Sequence, residues 1–263
     1  MSSAAVSPLP HSGIAGDELP DAMLRIDRLD DGVVVLRLAH GQQNALDVEL
    51  LEEIIVAFAK VSDASAVVLT GEGPAFSAGV DLRRILRSKA TEIEYFLDVL
   101  SQALLTVFTH PRPVVAAVNG HAIAGGCVLA AAADVRLMSD GSIGLTELNV
   151  GVAFPTAALE IARHAAGSQA QSLILSGRLL NPAQAVTVGF IDWVVDPDEL
   201  LDAAIAEARS LALIADETYE TTKRQLHAPA MAAIAREHEI HDSTVSRSWT
   251  AWSPRRRRRR YRS

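Results

Sequence analysis

Val114-Val115-Ala116-Ala117-Val118-Asn119-Gly120-His121-Ala122-Ile123-Ala124-Gly125-Gly126-Cys127-Val128-Leu129 reads as a buried strand, a turn, and a small-residue helix over Ala124 to Ala133 that opens on a glycine pair. The same order occurs upstream. Ala66-Val67-Val68-Leu69-Thr70 is a short apolar strand closed by Gly71-Glu72-Gly73-Pro74, and Ala75 to Leu82 turns through small residues into a helical pattern. Repeated strand–loop–helix units indicate an α/β architecture.

Outward from this centre, Met23–Leu29 and Val33–Leu38 read as two strands joined at Asp31-Gly32, a hairpin signal. Leu50, Leu51, Ile54, Ile55, Phe58 and Val61 recur at helical spacing and predict a helix over 47–62. A second helix is expected from Thr91 to Phe108, stopped by Pro111 and Pro113. Beyond Pro155 the pattern is mostly helical. It is broken by a strand at Ile191–Val195, with the last helices at Glu199–Leu213 and Ala230–Ile240.

The 263 residues are 49% hydrophobic and 21% charged, which suits one large domain and excludes wholesale disorder. One cysteine, Cys127, excludes a disulfide scaffold and points to a reducing compartment, the cytoplasm. The N-terminus has no Lys or Arg before Arg25 and no apolar core of a signal peptide. The longest apolar stretch, Ala122–Ala133, is too short to span a bilayer. Seven arginines occupy 255–260 and 262, leaving 17 basic residues against all 32 acids before position 255. Nucleic acid is therefore not an expected partner of the body, although the Arg255–Arg260 tail could bind polyanions.

Three segments carry possible chemistry. The first N–H groups of a helix lack internal partners, so the turn at Gly125-Gly126 is either an oxyanion site or a packing device for a helix close to a strand. Ala75-Phe76-Ser77-Ala78-Gly79-Val80-Asp81-Leu82 ends the preceding strand in the same way, so two turns could aim two N–H groups at one point. In Ser142-Ile143-Gly144-Leu145-Thr146-Glu147-Leu148-Asn149-Val150-Gly151, Glu147 is an acid among small and apolar residues. It is either a general base with a raised pKa or a surface acid or helix cap. Ala75-Phe76-Ser77-Ala78-Gly79 lacks the first glycine of a nucleophile elbow. Gly71-Glu72-Gly73 fails as a dinucleotide fingerprint, and His238 and His241 are spaced i, i+3 rather than as a zinc pair.

Together these segments resemble the enoyl-CoA hydratase/isomerase (crotonase) family. The matching residues are Asn44-Ala45-Leu46, Val67–Leu82, Pro113–Asp134 and Ile143–Gly151, with weaker matches at Ser176-Gly177-Arg178, Ala183–Val188 and Gly189-Phe190-Ile191. The resemblance implies a spiral of ββα units with a helical C-terminal trimerisation region. Composition marks 1–21, rich in Ser, Pro, Gly and Ala, as a mobile leader and the arginine run marks 251–263 as a basic disordered tail, while the resemblance divides the rest into a core (22–196) and a helical region (197–250). The resemblance further implies an acyl-CoA substrate and a homotrimer or hexamer, with no cofactor beyond the CoA carried by the substrate. By position, Val80 and Gly125 would donate to an enolate oxygen and Glu147 would be the base. Asn44, Ala45, Leu46, Ala78, Asp81, Gly126, Val128 and Phe154 would line the substrate site.

One departure matters most. Hydratases of the family resemble one another in a second glutamate three residues after the oxyanion glycine, and this chain has Val128 there. The segment around Glu147 is similar to the Δ3,Δ2-enoyl-CoA isomerase branch, which uses a single glutamate. The expectation is an isomerase, with an altered hydratase and a non-catalytic acyl-CoA or polyanion binder as alternatives.

Overall fold

The computed structural model describes residues 22–252, and the side chains of residues 238–242 lie outside that description. The expected leader, the arginine tail from Ser253 onward and the His238/His241 pair thus fall outside the described residues.

The elements in chain order are β1 (Leu24–Arg28), β2 (Val33–Leu38), α1 (Val48–Lys60), β3 (Ala66–Gly71), β4 (Ala75–Ser77), α2 (Leu82–Ile85), α3 (Ala90–Phe108), β5 (Val114–Val118), β6 (His121–Ile123), α4 (Gly125–Ala131), β7 (Val135–Met138), β8 (Ile143–Gly144), α5 (Glu147–Val150), α6 (Thr156–Ala166), α7 (Ala170–Ser176), α8 (Pro182–Thr187), β9 (Trp193–Val194), α9 (Leu200–Ala212) and α10 (Asp216–Thr250). They form two sheets. The larger runs β1-β2-β3-β5-β7-β9, antiparallel at β1–β2 and parallel thereafter; the smaller runs β4-β6-β8 and is parallel. Each turn of the chain thus gives one strand to the large sheet, one to the small sheet, and then helix, which is a spiral of ββα units with helices at the C-terminus.

The apolar runs of β2, β3 and β5 follow from burial on both faces. Val34, Leu36, Val67, Leu69, Val114 and Ala116 face the main core. The alternate residues Val33, Val35, Ala66, Val68, Val115 and Ala117 pack under Leu200, Ala204 and Ala208 of α9. Asp47 caps α1 by accepting from Leu50 N–H at 3.0 Å.

Two expectations are corrected. The last helix is continuous over 35 residues rather than confined to 230–240, with Pro229 in its interior. Trp252, which the sequence placed in the tail, folds against the body: its indole donates to Val150 O at 2.7 Å.

Candidate active site

The site lies where the small-sheet strands β4 and β6 end. Beyond β4, Leu46 N–H donates to Gly79 O and Asp81 N–H donates to Leu46 O, so Leu46 bridges Val80 in parallel fashion. In such a ladder the bridged residue's own N–H points to the other side of the strand. Val80 N–H is thereby turned away from Leu46, and Val80 borders a partly open cavity. Beyond β6, Ala124 adopts φ 50°, ψ −119°, a conformation that costs a non-glycine residue ~1–3 kcal/mol. Ala124 N–H donates to Gly144 O and Ala124 O accepts from Val128 N–H. Gly125 is then the first residue of α4, where an N–H has no intrahelical partner.

The two turns meet because of glycines. A Cβ on Gly79, whose φ is +77°, would stand 2.4 Å from Ile123 O. A Cβ on Gly126 would stand 2.3 Å from Ser77 O, so Gly126 serves the approach of α4 to β4. A Cβ on Gly125 would lie 3.9 Å from Val80 N, which puts both candidate donors on one short arc of wall.

Glu147 opens α5 and is 5% exposed. Its Oε2 has no hydrogen-bond partner among the described residues. Burial pushes the carboxyl up to about 8, against a smaller lowering by its own backbone N–H. A carboxyl with its pKa raised this way is able to exchange a proton near neutral pH. The surface-acid alternative therefore falls.

Glu147, Val80, Gly125 and Ala78 border the same cavity of about 150 Å³. Apart from Thr146 its remaining wall is apolar, with Leu82, Leu100, Leu104, Val152, Ala158 and Trp249 among its residues. Glu147 is the only ionisable side chain among the described residues that line it.

The other expected substrate residues are placed differently. Asn44 is fully buried; its carboxamide donates to Ala75 O (2.9 Å) and Glu72 O (3.1 Å) and accepts from His40 N–H, so it fastens the loop rather than touching a substrate. Val128 is fully buried in the core and Phe154 is 7% exposed there; neither lines the cavity. Gly126 is likewise off the wall. Leu46 and Asp81 border a neighbouring cavity of about 450 Å³ together with Asp47, Glu49, Arg84 and Glu92, and Ala45 borders neither space. Arg84 is paired there with Glu49 and Asp47.

Sequence reasoning missed the α3 wall (Leu100, Leu104), Thr146 and above all Trp249. Among the described residues no group of three or more His, Cys, Asp or Glu side chains could hold a metal ion. Cys127 is fully buried with its thiol pushed well up by burial, which suits an inert core thiol. Among the described residues, no helix is long and apolar enough to cross a membrane.

Residues 28–253 match the family described as enoyl-CoA hydratase/isomerase. The chain is 36% identical to a probable enoyl-CoA hydratase, EchA17, of Mycobacterium avium over 185 residues, covering 68% of this chain and 72% of that one. It is 31% identical to the mitochondrial enoyl-CoA delta isomerase 1 of Mus musculus over 217 residues, covering 79% and 75%. Among solved structures, a probable enoyl-CoA hydratase, EchA3, of Mycobacterium tuberculosis superposes with a TM-score of 0.79 at 27% identity, covering 85% of this chain and 96% of that one.

Proposed function

The chain belongs to the enoyl-CoA hydratase/isomerase family, and on that premise we propose that it shifts the double bond of a 3-enoyl-CoA thioester to the 2-position. The thioester oxygen accepts from Val80 and Gly125 N–H, which stabilises the negative charge that develops as C2 loses a proton. Glu147 takes that proton, the electrons spread over a dienolate, and the same carboxyl returns the proton at C4. No water is consumed and one acid–base group suffices.

The observation that carries this reading is Glu147 as the single ionisable side chain among the described residues of the wall, with an apolar Val128 in the core where a hydratase would carry a second carboxylate. Hydration asks the site to hold and activate a water and to deliver a proton as well, for which two carboxylates serve better than one. The same reading takes CoA as part of the substrate, requires no metal or redox cofactor, and places the protein as a homotrimer or hexamer in the cytoplasm, acting in fatty acid metabolism. The names of the mycobacterial relatives favour the second reading, an enoyl-CoA hydratase working with one carboxylate.

A panel of 3-enoyl-CoA and 2-enoyl-CoA substrates tests both. Isomerisation of the 3-enoyl compound at least about tenfold faster than hydration of the 2-enoyl compound is expected. The reverse ratio would establish the hydratase reading. Binding of acyl-CoA without turnover of either would leave only the non-catalytic one.

A further inference from the structure

Trp249 stands 102 residues after Glu147 in sequence and borders the same cavity. It belongs to the last turn of α10, is 3% exposed, and leans on Phe96 of α3 with ring centroids 6.2 Å apart. The segment that follows Glu147 is pinned by this turn. The Trp249 indole donates to Ala153 O (2.8 Å), Ala153 N–H donates to Ser248 Oγ (3.1 Å), and the Trp252 indole donates to Val150 O (2.7 Å). Glu147 O in turn accepts from Gly151 and Val152 N–H. Trp249 is thus a wall whose position is fixed by hydrogen bonds at its polar edge, with its apolar faces left to pack.

A cavity of about 150 Å³ takes a guest of roughly six carbon atoms, the size of benzene. The carbonyl carbon and C2 to C4 must occupy the part beside Val80, Gly125 and Glu147, so little length remains beyond them. We propose that Trp249 is a specificity-determining residue that closes the acyl pocket, so that this protein takes short acyl chains of about four to six carbons and excludes long ones. The proposal rests on the acyl-CoA reading of the site, whichever reaction the site performs. Each methylene that a pocket accepts or refuses is worth ~10–200-fold in discrimination, so a fixed indole is enough to set a sharp limit.

The test is calorimetric binding of saturated butyryl-, hexanoyl-, octanoyl-, decanoyl- and dodecanoyl-CoA to the wild type, Trp249→Phe and Trp249→Ala. Being saturated, these ligands report binding independently of catalysis. For the wild type, hexanoyl-CoA should bind at least about tenfold tighter than dodecanoyl-CoA. Trp249→Ala should shift that ratio towards the long chain by about tenfold or more, while Trp249→Phe, which keeps a ring in place, should stay within about threefold of wild type. Wild-type affinity that climbs steadily through dodecanoyl-CoA overturns the proposal, even if the alanine variant fails to fold. So does a folded alanine variant with an unchanged ratio. If no chain length binds, the acyl-CoA reading itself falls and the proposal with it; binding without chain-length preference sinks the proposal alone.

Discussion

Gly79 and Gly125 touch backbone to backbone: a Cβ on Gly79 would stand 3.2 Å from Gly125 N and 2.4 Å from Ile123 O. The two turns that carry Val80 and Gly125 are therefore held at a separation that a methyl group destroys. Gly79→Ala adds that methyl at φ +77°, where an L side chain is also strained. Losing one oxyanion donor costs ~10²–10³ in kcat, and a loss of about that size is expected with circular dichroism unchanged. Wild-type kcat in folded Gly79→Ala would mean that these two N–H groups do not act together.

The buried carboxyl of Glu147 links activity to pH. The base is the ionised form, so kcat/KM should rise with pH and level off above about 8, where burial places its pKa. Glu147→Gln keeps the shape but cannot accept the proton, and should lower isomerisation by ~10²–10⁴. Full activity in this variant, or a rate that levels off near pH 5, would remove Glu147 from the role of base.

Stability should move the opposite way. The folded chain keeps a proton on Glu147 from the ordinary 4.5 up to about 8, whereas the unfolded chain releases it above 4.5. Stability is therefore lost as pH rises through that window. Glu147→Gln has no such term, so its advantage over wild type should be near zero at pH 4.5 and reach on the order of 3–5 kcal/mol above pH 8, as an upper bound. Urea unfolding at pH 5 and pH 9 measures the difference.

The long helix α10 is tied to the body by a buried pair. Lys223 Nζ lies 2.8 Å from Asp134 Oδ2, with both side chains almost enclosed, and the same oxygen accepts from Val114 N–H at 2.8 Å. Lys223→Met leaves the Asp134 carboxylate buried without its cation and should cost ~3–5 kcal/mol of unfolding free energy. Lys223→Met combined with Asp134→Leu should recover part of that loss. A single-variant cost below about 1 kcal/mol would show the pair to be solvated.

What was legible in the sequence was local. Val67–Leu69 and Val114–Val118 alternate between two buried faces, so their apolar runs announce strands, and the glycines at 79, 125 and 126 announce tight turns. Glu147 stood out as an acid among apolar neighbours. The small sheet was missed because β4, β6 and β8 are two or three residues each, too short for a period to register. The full extent of α10 was hidden by Pro229 and by its sparse apolar residues, which ordinarily end a helical pattern. Trp249 carried no local signal at all, because its partners Ala153 and Phe96 lie about a hundred residues or more away. Asn44 entered only through the family resemblance, as a substrate residue, yet what it does is bind backbone, and only the tertiary arrangement reveals that.

Val128 supplies the last prediction. A glutamate there would restore the carboxylate count of a hydratase, and from sequence alone Val128→Glu is expected to raise hydration. The structure places Val128 in the core, fully buried, one turn into α4 and off the cavity wall. A carboxyl introduced there meets apolar neighbours, and Glu147, the other acid of this part of the fold, has its own pKa raised by burial. If the two carboxyls interact, repulsion leaves one of them holding its proton to higher pH, so the pair would activate water poorly. The expected result is a stability loss of ~3 kcal/mol or more, since an unpaired polar group is buried, and a hydration rate raised by no more than a few-fold. A hundredfold gain in hydration of 2-enoyl-CoA, read beside unfolding curves that match wild type, would show that position 128 opens onto the reacting carbons after all, and that a single substitution separates the two chemistries.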